Sequence, residues 1–182
     1  MKYKRGLTAE LIIFKLGYIQ VYLEYMKIYV ATDHAGFELK ENIKKYLEEK
    51  GNEVYDCGAL TLEPGDGYPE YMVRAAESVQ KDAMHEPAFA VIFGGSGQGE
   101  AIVANRFRHV RAIVYAGGNL ELVKLGREHN DANVICLGER VSGEGMIEAI
   151  IKAWDKAEFE EGRHTQRVEK INSLSKIGNC RA

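Results

Sequence analysis

Cysteine is scarce in this 182-residue chain: Cys57, Cys136 and Cys180 are odd in number and contain no Cys-x-x-Cys pair. Such usage builds no disulfide framework, and a reducing cytoplasm is the expected home. An excess of charge of one sign is missing too. Lys and Arg total 24 against 27 Asp and Glu, a formal net charge of −3, which argues against a nucleic-acid surface. Apolar runs are short, because Lys15, Gln20 and Glu24 interrupt the stretches 11–14 and 19–23. A bilayer span needs about 20 apolar residues, so no membrane partner is expected. Lys2, Lys4 and Arg5 precede an apolar stretch as in a secretory leader, but the small-x-small cleavage site is absent. The five histidines show no paired ligand spacing, and no metal or other cofactor is expected. Internal repeats and low-complexity linkers are absent as well.

What is present is a glycine loop. Gly94-Gly95-Ser96-Gly97-Gln98-Gly99-Glu100 follows the apolar run 88–93, which reads as a strand, a loop and then a helix over 99–107. Glycines let backbone N–H groups turn inward, and the helix start adds unpaired donors and a positive dipole end. Two familiar readings fail on particular residues. A nucleotide phosphate loop places Lys and then Ser or Thr after its last glycine, whereas Glu100 and Ala101 stand here. A dinucleotide fingerprint needs two residues between its second and third glycines and an acid roughly 20 positions on. One residue separates Gly97 from Gly99, and 111–118 holds no acid. An oxyanion loop beside a carboxylate remains, which is equipment for removing a proton next to a carbonyl.

Length suits one α/β domain that buries about two-thirds of its unfolded surface. Apolar β-rich runs at 27–32, 53–56, 88–93, 111–115 and 133–137 alternate with helical patterns, so a five-stranded parallel sheet covered on both faces is expected. Helices are predicted over 37–50, 144–160 and 164–177. Residues 1–25 do not resemble the rest and are expected to be a dispensable extension, because Met26 opens the first clean strand. Cys57 and Cys136 read as small buried residues. Ligands in such sheets lie beyond the carboxyl ends of the strands. Asp33-His34, the glycine loop, Glu128-His129-Asn130-Asp131 and Gly138-Glu139-Arg140 are all expected at that end. The basic cluster Arg163, His164, Arg167 and Lys170 is the material for an anion site.

Thr-Asp33-His34-Ala-Gly, Asp66-Gly-Tyr68-Pro, the glycine loop through Glu100, Ala104-Asn105-Arg, Arg-Glu-His129-Asn130-Asp, Gly-Glu-Arg140 and Gly-Arg163-His-Thr-Gln-Arg167 occur in this order. Together they resemble the type B ribose-5-phosphate isomerases and their galactose-6-phosphate isomerase relatives, over about residues 26–168. The resemblance implies a Rossmann-like three-layer α/β/α sandwich over 26–162. It also implies a homodimer, or a dimer of dimers, with the active site between subunits and the helix and tail of 163–182 reaching across. The implied activity interconverts ribose 5-phosphate and ribulose 5-phosphate in the non-oxidative pentose phosphate pathway, without metal. Many members carry a cysteine base where Gly94 stands; a subgroup has glycine there and a glutamate at the position of Glu100, and this chain resembles that subgroup. By resemblance Glu100 is the base, His129 opens the sugar ring, Asp33 orients the hydroxyls, and Ser96 with the N–H groups of Gly95, Gly97, Gln98 and Gly99 receives the enediolate. Tyr68 and Asn130 contact the sugar, and His34, Arg140, Arg163 and Arg167 hold the phosphate. A four- or six-carbon sugar phosphate, or a non-catalytic sugar-phosphate sensor, are the alternative readings.

Overall fold

The structure, a computed structural model, describes residues 26–141 and 144–173. Five strands, β1 (Lys27–Ala31), β2 (Glu53–Asp56), β3 (Ala88–Gly94), β4 (Ala112–Tyr115) and β5 (Val134–Gly138), form one sheet in the order β2-β1-β3-β5-β4. Every pairing is parallel. Six helices connect and follow them: α1 (Phe37–Glu49), α2 (Tyr68–Asp82), α3 (Gln98–Ala104), α4 (Glu121–Asn130), α5 (Glu144–Lys156) and α6 (Thr165–Asn172). The expected fold class is therefore realised. The predicted extension 1–25 and the tail beyond Ser173 lie outside the described residues.

The side-chain alternation of a strand explains the layers. On β1, Ile28 and Val30 face a core built with Leu39, Ile43 and Leu47 of α1, Val123 of α4, and Ile147, Ile150 and Trp154 of α5. Tyr29 and Ala31 face the other way, onto Met72, Ala75 and Val79 of α2 and Ala101 and Ala104 of α3. Covered on both faces, the central strands become continuously apolar; all seven residues of β3 are buried.

Helix ends differ from the sequence-based expectation chiefly at α3, α5 and α6; α5 stops at Lys156 rather than at 160, and α6 at Asn172. α3 stops at Ala104 rather than at 107, because the Asn105 amide turns onto the edge strand, accepting from Ala112 N at 2.8 Å and donating to Ala112 O at 2.9 Å. His164 belongs to a short 3-10 turn, Gly162–His164, and α6 begins only at Thr165. α1 is tied to the end of β2 by Lys40, fully buried, whose Nζ donates to both Asp56 oxygens at 2.8 and 2.7 Å and to Ala59 O at 2.6 Å.

Candidate active site

After β1 the chain turns toward β2, and after β3 it turns toward β5 and β4. That reversal opens a crevice between the carboxyl ends of β1 and β3, the usual place for a ligand in an open parallel sheet. Asp33 and the turn His34–Gly36 fill one side. Asp33 Oδ1 caps the turn by accepting from Ala35 N at 3.0 Å. Gly36 lets the turn sit against β3, since a Cβ there would lie 2.7 Å from Phe93 Cβ. His34 is fixed from the loop before α2: one oxygen of Asp66 accepts from His34 N and lies 2.8 Å from His34 Nδ1.

The glycine loop fills the other side. A methyl group at Gly94 would lie 1.8 Å from Glu100 Oε1, so the carboxylate occupies the space that a side chain at 94 would take. One at Gly99 would lie 2.6 Å from Tyr68 Oη, which brings the first residue of α2 onto the loop. Gly97 adopts φ 77° at the head of α3, a conformation that glycine enters without steric cost. Beyond β5, the Arg140 guanidinium rests on Gly95, 3.3 Å from where a Cβ would stand, and Arg140 N donates to Gly95 O at 3.3 Å. Gly138 is glycine because Ser96 backbone crosses it, 2.7 Å from a Cβ position.

Glu100 is 5 % exposed. Burial pushes its carboxyl above the usual range and the nearby Asp33 charge adds to this, while the N–H groups of Glu100 itself and Gly97 pull the other way. The Gly97 N–H thus serves the carboxylate, and Gln98 N donates to Ser96 Oγ at 3.4 Å. Both were expected to be donors to substrate. Neither cysteine competes for the base role: burial pushes Cys57 up to about 11 and raises the fully buried Cys136 further, so neither is a ready thiolate.

The remaining candidates are elsewhere. His129 and Asn130 close α4, which runs from the carboxyl end of β4 back to the amino end of β5. Arg111, one residue before β4, donates through Nε to Asn130 O at 3.1 Å, which marks the amino edge of the sheet. Placing His129 and Asn130 with the glycine loop is therefore corrected: in a single chain, one ten-residue helix, about 15 Å long, separates them. At this second edge the rings of His129 and His164 stack at 4.3 Å, with Glu160 Oε2 3.6 Å from His129 Nε2 and 3.9 Å from His164 Nε2. Three such donors could approach a cation, but Arg163 Nε donates to His164 Nε2 at 3.1 Å and occupies the lone pair a metal would need. Burial, with His129, Arg163 and Arg167, holds His164 below the ordinary histidine range. Next to it, Gly162, Arg163, Gln166, Arg167 and Lys170 line a groove of about 650 Å³.

Residues 28–171 match the family model described as Ribose/Galactose Isomerase. The chain belongs to this family. It is 39% identical to ribose-5-phosphate isomerase B of Escherichia coli (strain K12) over 153 residues, covering 84% of this chain and 99% of the relative. Among solved structures, ribose-5-phosphate isomerase B of Mycoplasma genitalium with bound ribulose-5-phosphate superposes with a TM-score of 0.76 at 31% identity, over 81% of this chain and 94% of that one. The Clostridium thermocellum ribose-5-phosphate isomerase B gives 0.74 at 39% identity, covering 82% and 97%.

Within this ribose/galactose isomerase chain, sequence reasoning had assigned no role to Asp66 or Glu160. Asp66 was visible in its motif, but its bond to His34 spans 32 residues and has no local signature. Glu160 carries none at all; it is placed by the bond from its N–H to Glu128 O at 2.9 Å. Among the described residues, no helix is long and apolar enough to cross a membrane.

Proposed function

We propose that this chain interconverts ribose 5-phosphate and ribulose 5-phosphate through an enediolate, in an active site completed by a second copy of itself. Glu100 carries the reading: a carboxylate nearly sealed from water, seated on Gly94 within a glycine loop, with its proton affinity raised by burial. A base of that kind can take the proton from C2 near neutral pH and return it to C1. Asp33, across the crevice, orients the O1 and O2 hydroxyls, and Tyr68 contacts the sugar. Ser96 and the loop N–H groups not engaged by Glu100 receive the developing oxyanion; one such donor is typically worth about 10²–10³ in turnover. His34 and Arg140 hold the phosphate from this side.

His129 opens the ring, Asn130 contacts the sugar, and Arg163 and Arg167 close on the phosphate. A two-fold dimer brings them to the glycine loop by facing the amino edge of one sheet with the carboxyl edge of the other, and it assigns α6 to packing on the partner. The similarity to ribose-5-phosphate isomerases B favours the five-carbon sugar over four- or six-carbon phosphates. Two experiments test this. A panel of aldose phosphates of four, five and six carbons should give the highest kcat/KM for ribose 5-phosphate. Glu100→Gln and His129→Asn, each inactive alone, should regain about a quarter of the unmutated activity when unfolded together and refolded as a mixture, because half the dimers are mixed and each mixed dimer has one intact site of two. No recovery in mixed dimers would put both residues in one subunit's site and sink the shared-site reading.

A further inference from the structure

We propose that Asp66 is a positioning residue for His34, locking the ring so that Nε2 faces the substrate phosphate as a donor. The inference rests on the reading of His34 as a phosphate ligand. A single oxygen, Asp66 Oδ1, holds both His34 N and His34 Nδ1 at 2.8 Å. The Asp66 side chain is 10% exposed and the His34 ring 40%, so the carboxylate is shielded while the far edge of the ring stays open to a ligand. Asp66 Oδ2 has no access to solvent. A carboxylate only accepts, so the nitrogen facing it must carry a hydrogen. That has a consequence at the other nitrogen. Neutral His34 then presents a bare lone pair at Nε2, which repels a phosphate oxygen; only the imidazolium presents N–H.

Asp66 therefore selects the orientation and favours the charge that the orientation requires. The hydrogen bond that His34 donates to Asp66 is the largest influence raising the His34 pKa, partial desolvation opposes it, and Asp33, its Oδ2 4.0 Å from Nδ1, adds to the rise. Tyr71 of α2 faces the same carboxylate and has Glu63 and Arg74 as its own charged neighbours. The direction of the pH effect follows. A raised histidine pKa keeps the imidazolium, and hence phosphate binding, at low pH, and the benefit disappears as pH rises through that pKa. Losing Asp66 moves the loss to lower pH.

The test measures inorganic phosphate binding by calorimetry, independently of turnover, in Asp66→Asn, His34→Gln and the double variant. At about pH 8 Asp66→Asn should weaken phosphate at least about tenfold relative to unmutated protein, the worth of one hydrogen bond to a charged group. At about pH 6, where an ordinary imidazole is mostly protonated, the ratio should fall to within about threefold. KM for ribose 5-phosphate should follow the same pattern. His34→Gln should weaken phosphate at both pH values, and adding Asp66→Asn to it should change nothing further. Equal weakening at both pH values, or additive losses in the double variant, would overturn the role of Asp66. Phosphate binding unaffected by His34→Gln would overturn the phosphate reading itself. Nitrogen NMR of the unmutated protein needs no variant to fold: neutral His34 should be the Nδ1–H tautomer, and a dominant Nε2–H tautomer would refute the lock.

Discussion

Alanine at position 94 is the smallest change that should disable Glu100 without touching it. The backbone at Gly94 is extended strand, so conformation does not demand glycine there, and space alone does. A Cβ would lie 1.8 Å from Glu100 Oε1, 2.4 Å from Cδ and 3.0 Å from Cγ. Moving Oε1 from 1.8 Å to an ordinary 3.4 Å contact is a retreat of about 1.6 Å. A misplacement of about 1 Å can cost roughly 10²-fold in rate, so kcat of Gly94→Ala should fall by about that factor or more, with KM changed little because the phosphate ligands are untouched. Overpacking costs about 1–3 kcal/mol, and most of it should be relieved when Glu100 is shortened: Gly94→Ala/Glu100→Ala should melt higher than Gly94→Ala. A direct isomerase assay with thermal melting checks both. A kcat within about threefold of the unmutated value would mean that the carboxylate need not sit on Gly94, and the assignment of Glu100 as base would fall with it. Gly94→Cys should be as damaged as Gly94→Ala while Glu100 is present, because Sγ needs the same space.

Glu100→Gln should remove nearly all turnover while inorganic phosphate still protects against thermal unfolding, since the amide keeps the shape and loses the base; retention of more than a few per cent of turnover would reject Glu100. The same variant should melt higher than the unmutated protein near pH 8 and equally near pH 4, because a carboxyl with a raised folded pKa loses stability only as pH climbs and it must ionise. Arg163→Ala and Arg167→Ala should chiefly raise KM and weaken inhibition by inorganic phosphate, and unchanged KM in both would remove the segment 163–167 from the site. His129→Asn should slow ribose 5-phosphate turnover by about 10²–10⁴ yet spare an aldose 4-phosphate, whose esterified O4 cannot close a furanose ring; equal losses would end the ring-opening role.

The central strands β3 and β5 were legible in the sequence because each is a short apolar run, and burial on both faces makes such runs continuous; the edge strand β2, Glu-Val-Tyr-Asp, is only partly covered. The glycine loop was legible for a different reason: its backbone geometry requires residues without Cβ, and the crowding at Gly94, Gly99 and Gly138 shows what each absence makes room for. No helix was predicted at Tyr68, although Met72, Ala75, Ala76 and Val79 carry the helical spacing of α2, which starts at that tyrosine. His129 was expected at the carboxyl edge of the sheet and lies at the amino edge, at the end of α4. A motif order says which residues share a chemistry, whereas the edge a residue occupies follows from counting crossovers: in a parallel sheet every helix that leads into a strand ends at the amino edge.

A parallel α/β sheet collects strand-to-helix loops at one edge and helix-to-strand loops at the other, so one chain cannot join Glu100 to His129 without crossing its own sheet. Residues at the amino edge can still serve catalysis if another copy presents them. At that edge His164 is 4 % exposed, stacked on His129 and bonded by Arg163 Nε. Under the proposed function, a monomer would bury Glu100 and present His34 and Arg140 but would lack the residues of the amino edge. If dilution below the dimer dissociation constant abolished turnover while leaving phosphate binding at His34 measurable, the two halves would have been separated in the way the sheet divides them.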